Sequence, residues 1–126
     1  MRKFNTLKKN YEFKRVLSKG KYYSGKNLEA FIINTNNNFN FLGIAVSVKV
    51  AKAVKRNRIK RLIRECYRLL ENEIELGKSI VFLCKKNSDI KNFTFDSINN
   101  DINLIFDKAN MKIGKYINEK DSIEND

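Results

Sequence analysis

The sequence predicts a single α+β domain in which a small mixed sheet packs with helices. Two kinds of apolar pattern lead there: helical spacing in three segments, and alternating or β-branched apolar runs in three others. A third observation is size, since 126 residues suffice for one modest core. The balance of 42% hydrophobic to 32% charged residues, with 9 Phe and 5 Tyr, belongs to a folded chain and not to a disordered one.

The elements follow in chain order. Phe13, Val16 and Leu17 recur at i, i+3, i+4, predicting a helix over 10–19, with Asn10 as N-cap, Glu12 in the first turn and Gly20 as the stop. "LEAFIINT" (28–35) is β-branched and aromatic, and the Asn36-Asn37-Asn38 run after it signals a turn. In "FLGIAVSV" (41–48), Leu42, Ile44, Val46 and Val48 point one way, into a core. Phe41, Gly43, Ala45 and Ser47 point the other, where small side chains leave room for close approach to the backbone.

The segment 53–73 carries Ile59, Leu62, Ile63, Cys66 and Leu70 on one helical stripe. Gly77 breaks it, and "SIVFLC" (79–84) reads as a buried strand. Thr94 is the expected N-cap of a last helix whose stripe is Ile98, Ile102, Ile105, Phe106 and Ala109. Strand 41–48, helix 53–73 and strand 79–84 form a β-α-β unit, so those strands are parallel if adjacent, and a crossover of this kind is ordinarily right-handed. One domain over 1–117 is expected, with a polar, disordered tail over 118–126.

Charge carries the functional signal. The net charge is +12, but residues 1–70 hold 18 Lys/Arg against Glu12, Glu29 and Glu65, while residues 71–126 hold 8 against 11 acids. A net of +15 beside −3 points to a polyanion gathered on one face. The chain prefers Lys to Arg, 19 to 7, yet Arg56, Arg58, Arg61, Arg64 and Arg68 fall within 13 residues. Guanidinium offers phosphate a planar, two-pronged fork that ammonium lacks, so geometry matters there.

On a wheel of about 100° per residue, Arg56, Lys60, Arg64 and Arg68 climb one side of the 53–73 stripe. Asn57 and Arg61 face outward, and Arg58 flanks the opposite edge. Lys49 and Lys52 extend the cationic set into the segment leading in. Like charges at i,i+4 cost a helix about 0.2–0.5 kcal/mol per pair, and first-turn cations oppose the helix dipole by about 0.3–1 kcal/mol each. A bound phosphate chain reverses both penalties.

"KRNRIKRLIRE" (55–65), with "VSVKVAKAV" before it, "FLGIAVS" leading in and "LKKNYEFKRVLSKG" further upstream, resembles the bacterial ribonuclease P protein family over residues 7–110. Ser47-Val48-Lys49 stands where that family usually has Ser-Lys-Lys, and Ala51 where Gly is common. The resemblance implies a fold like the second domain of ribosomal protein S5, with a left-handed β-α-β crossover. It implies an accessory subunit: an RNA subunit cuts the 5′ leader from precursor tRNA, the protein gripping both RNAs. It assigns Arg56, Asn57, Arg58, Lys60, Arg61 and Arg64 to the RNA subunit, and Phe13, Leu17 and Phe31 to a cleft for the leader. Phe31 lies on the strand face opposite Leu28, Ala30 and Ile32, where an aromatic ring can stack an unpaired base for about 1–3 kcal/mol.

A protein-only nuclease needs His, or carboxylates clustered around a metal. The chain has no His, and its acid-rich stretches lie in the half away from the basic helix. Cys66 falls on an apolar stripe and Cys84 ends a strand, so both read as packing residues. No cofactor is expected on the protein, and Mg2+ is expected for the RNA-catalysed reaction. The expected partners are the RNA subunit and precursor tRNA. With no apolar run near a membrane span and no secretory signal in "MRKFNTLKKNYEF", the expected compartment is the cytoplasm. A ribosomal or ribosome-associated RNA-binding protein and a DNA-binding module remain as rival readings.

Overall fold

A computed structural model describes residues 4–86, 88, 91 and 93–113; the predicted tail from Asn118 lies outside them. The elements run β1 (Phe4–Thr6), α1 (Asn10–Lys19), β2 (Lys21–Ser24), β3 (Leu28–Asn34), β4 (Asn40–Ala45), α2 (Ala53–Leu70), β5 (Lys78–Cys84) and α3 (Phe95–Lys108). The five strands form one sheet in the order β1-β4-β5-β3-β2. β1 pairs parallel with β4 and β4 parallel with β5; β3 runs antiparallel to both β5 and β2. The β4-α2-β5 unit therefore joins adjacent parallel strands, and the sheet is mixed, as the sequence predicts.

Two faces of that sheet are filled differently. Leu28, Ala30, Ile32, Leu42, Ile80, Phe82 and Cys84 meet Ile59, Ile63, Cys66, Tyr67 and Leu70 of α2 and Ile98, Ile102, Ile105 and Phe106 of α3 in the main core. On the other face a smaller apolar cluster of Leu7, Val16 and Val81 is buried, with Phe13, Phe31, Ile33, Phe41 and Leu83 partly covered around it. Two helices seal one face, and the single α1 lies across the other.

Several predicted details are corrected. Lys9, not Asn10, takes the N-cap position of α1: its backbone is extended (φ −103°, ψ 144°), and its N–H donates to Glu12 Oε1 at 3.1 Å. Gly20 does end α1, but with φ −73°, not in the left-handed region. Its need for glycine is steric, because a Cβ there would lie 2.4 Å from the Val16 carbonyl oxygen. β4 stops at Ala45, short of the predicted 48, so Val48 leaves the core side and is exposed. α2 ends at Leu70, short of 73, and Ile74 just beyond it turns into the core. Gly77 breaks the chain as expected, at φ +86°.

Two buried polar groups fix the frame. Asp101 on α3 accepts backbone N–H groups of Lys26, Asn27 and Leu28 at 2.9, 2.7 and 3.0 Å, tying the β2–β3 turn to the helix. Asn40, fully buried at the start of β4, donates to the Tyr67 hydroxyl at 2.9 Å and the Glu75 carbonyl at 3.2 Å, and accepts from the Lys78 N–H at 2.9 Å. One amide thereby sets α2 against the first residues of β4 and β5. Burial pushes the Tyr67 phenol up to about 12.

Candidate nucleic-acid interface

α2 is held from below and left alone above. Its apolar stripe forms as predicted, with Tyr67 as an added anchor and Leu62 half-buried. Fully burying each such side chain is worth about 1.5–3 kcal/mol, ample to hold a helix whose own electrostatics oppose it. Its N-terminus has no side-chain cap hydrogen bond and no acid in the first turn. No first-turn carboxylate or side-chain cap therefore offsets the positive end of the helix dipole.

Within this frame the predicted cations divide into two groups. Arg56 Nη1 donates to the Ala51 carbonyl at 2.8 Å, and Arg58 Nη1 reaches the Phe93 carbonyl at 3.4 Å. These two bridge α2 to the segments beside it, each still holding further N–H donors for a ligand. Asn57, Arg61, Arg64 and Arg68 are exposed, Lys60 is half-buried along the stripe, and Lys49 and Lys52 stand exposed ahead of the helix. Among the described residues, the ion pairs are Lys78–Glu75 and Lys112–Asp107; none involves α2. Among the described residues, no hydrogen bond or ion pair engages the guanidinium groups of Arg61, Arg64 and Arg68, which face solvent.

The predicted cleft residues meet on the other side of the sheet, where α1 crosses it. Phe13 lies directly over Gly43, whose Cβ, were there one, would fall 2.8 Å from the Phe13 ring. The small-residue side of β4 is therefore occupied by α1 itself. Phe31 is half-buried beside this cluster, and Leu17 is exposed. Phe13 thus acts mainly in packing, while Leu17 and Phe31 offer surface. A residue missed by the sequence reading joins them: Tyr22 on β2 pairs with Phe31 across the strands, their ring centroids 5.2 Å apart. A hollow of about 460 Å³ opens on the opposite flank of α1, lined by Tyr11, Arg15, Ile33 and Asn37 among others; none of the three predicted cleft residues lines it.

The cysteines are free and buried, and burial pushes both thiols up to about 11, the reverse of what a nucleophile needs. Among the described residues no three His, Cys, Asp or Glu side chains come together as a metal-binding group. No helix among them is long and apolar enough to cross a membrane.

A family profile described as Ribonuclease P matches residues 1–110 of this sequence. The chain belongs to the ribonuclease P protein family. Similar curated proteins named ribonuclease P protein component include one from Clostridium botulinum (strain Loch Maree / Type A3), 44% identical over 92 residues, covering 72% of this chain and 83% of that protein. Another, from Clostridioides difficile (strain 630), is 37% identical over 108 residues, covering 85% and 93%. Among solved structures, the Staphylococcus aureus RNase P protein superposes with a TM-score of 0.75 at 30% identity, covering 85% of this chain and 96% of that one. The Thermotoga maritima RNase P protein gives 0.72 at 26%, covering 80% and 94%. The α+β fold is that of ribonuclease P proteins, and the function is that of the protein subunit of this tRNA-processing ribonuclease.

Proposed function

We propose that the protein binds the RNA subunit of ribonuclease P through α2 and guides the 5′ leader of precursor tRNA over the α1 side of its sheet, while the RNA carries out cleavage. The observation that carries this is the unpaired cationic face of α2. An uncapped helix start and arginines without protein partners are costs in the free protein, and a phosphate backbone converts both into binding energy. Arg61, Arg64 and Arg68, with Asn57 and Lys60, supply direct contacts. Arg56 and Arg58 hold the helix in place and contact RNA with their remaining N–H groups. Lys49 and Lys52 add charge at the entry to the helix.

The open face of the sheet suits a single strand. Leu17 and Phe31 present apolar surface to bases, and stacking of this kind tolerates any sequence, as a leader common to many tRNAs requires. Mg2+ would supply counterion charge and water activation to the RNA-catalysed step, and no side chain of this protein is assigned to hold it. The work is placed in the cytoplasm, where tRNA precursors are made.

Reconstitution tests the proposal. Purified protein alone is expected to leave precursor tRNA intact, and added RNA subunit to restore leader removal at low salt. Cleavage by RNA-free protein, or ribosomal RNA recovered in place of one structured RNA and tRNA precursors when the protein is captured from cells, would overturn it.

A further inference from the structure

Strand β2 is an edge strand of only four residues, and its exposed aromatic is hard to account for as packing. Tyr23 points to the sealed face and packs on the main core. Tyr22 points the other way, onto the α1 side, and remains 48% exposed although it pairs with Phe31. The two rings are inclined at 56°, so contact with Phe31 does not consume the flat face of Tyr22. Its hydroxyl donates to Glu29 Oε2, a bond from the neighbouring strand that fixes where the ring stands. A solvated tyrosine on an edge strand ordinarily samples several rotamers; this one is held at two points, ring and hydroxyl.

Position adds to the case. Tyr22, Phe31 and Leu17 lie on one side of the sheet, and β2 is three strand spacings, about 14 Å, from β4, the strand that feeds the basic helix. Phe31 and Tyr22 thus form consecutive steps of an aromatic floor that runs out to the sheet edge. Glu29 sits at its border with an oxygen already engaged by the tyrosine, so the floor offers π-faces to bases and keeps phosphates to the outside.

We infer that Tyr22 is a base-stacking residue, which receives the leader nucleotide next beyond the one on Phe31 and lengthens the leader footprint by that nucleotide. This rests on the leader path proposed above. Glu29 is a positioning residue for the ring.

The test uses the holoenzyme assembled with its RNA subunit and precursor tRNAs whose leaders lengthen by single nucleotides. With the wild-type protein, affinity rises stepwise with leader length and then levels off. With Tyr22→Leu the last step disappears, a loss of about fivefold confined to the longer leaders, while Tyr22→Phe, which keeps the ring but not the hydroxyl bond to Glu29, shows a smaller loss. A fluorescent base analogue at that leader position is quenched by wild type and by Tyr22→Phe, and not by Tyr22→Leu. An unchanged last step in Tyr22→Leu overturns the inference. So does a uniform loss across all leaders, the leaderless substrate included, because a merely structural tyrosine acts that way. Phe31→Leu separates the two layers of argument. Earlier steps lost in Phe31→Leu, with the last step intact in Tyr22→Leu, sinks the role of Tyr22 alone; no change in either variant sinks the leader path as well.

Discussion

α2 and α3 lie on the same face of one sheet and share one core, yet they are built on opposite rules. α3 begins with Thr94, whose hydroxyl accepts the Ser97 N–H at 3.2 Å while the Ser97 hydroxyl bonds back; Asp96 stands in its first turn and Lys108 in its last. Every terminal device agrees with the helix dipole. α2 has no cap bond and no first-turn acid, and Arg56 and Arg58 stand near its start. The difference shows where each helix draws its stability. α3 is complete within the protein, whereas α2 is anchored by its apolar stripe and by Asn40 and turns its arginines outward to solvent.

Changes that separate fold from binding test that contrast. The largest effect belongs to the shared core: Ile102→Ala on α3 should cost about 2–5 kcal/mol of stability by chemical denaturation, and Ile63→Ala on α2 a similar amount. Next comes the double variant Arg61→Ala/Arg64→Ala. Its affinity for the RNA subunit should fall about a hundredfold, as two charge-assisted phosphate contacts imply, while its melting temperature holds or rises. A drop in stability comparable to that of Ile63→Ala would mean that these arginines serve the fold.

Smaller effects test the helix ends. Thr94→Ala should destabilise by about 1 kcal/mol and leave RNA affinity intact. Lys52→Asp should do the converse, raising stability by about 0.5–1 kcal/mol through a new cap and weakening RNA binding in filter or fluorescence titrations. Last is the response to base. The buried Cys66 and Cys84 thiols and the Tyr67 phenol have folded pKa values raised to about 11, 11 and 12, so the fold favours their protonated forms. Their contribution is whole below pH 9 and lost as pH climbs through the window from about 9 to 12. At pH 8 neither thiol should react with an aromatic disulfide reagent faster than the protein unfolds; rapid reaction of Cys66 would contradict its place in the core.

The sequence shows most of this plan, and its failures have physical causes. α1, α2, α3 and β4 are each signalled by their own periodicity, and β3 and β5 by β-branched or continuous apolar runs. β1 and β2 are not, because three- and four-residue edge strands, "FNT" and "KYYS", are too short and too polar to show alternation. Asp101 sits among Ile98, Ile102 and Ile105 on the buried side of α3, and a lone acid on an apolar stripe was the available sign of its three backbone hydrogen bonds. The cationic face was readable because a single helix presents it. The floor on the α1 side was only partly so: the contact of Phe13 with Gly43, the exposure of Leu17 and the pairing of Tyr22 with Phe31 arise from strand register and the path of α1 across the sheet, which no local pattern encodes.

The most direct test of the α2 claim is the salt dependence of binding to the RNA subunit. For the wild type, log affinity should fall steeply and linearly with log salt, and Arg61→Ala and Arg64→Ala should each shallow that slope by about one, as the loss of a phosphate contact demands. A slope unchanged by both substitutions would contradict the assignment of the outward arginines to an RNA backbone.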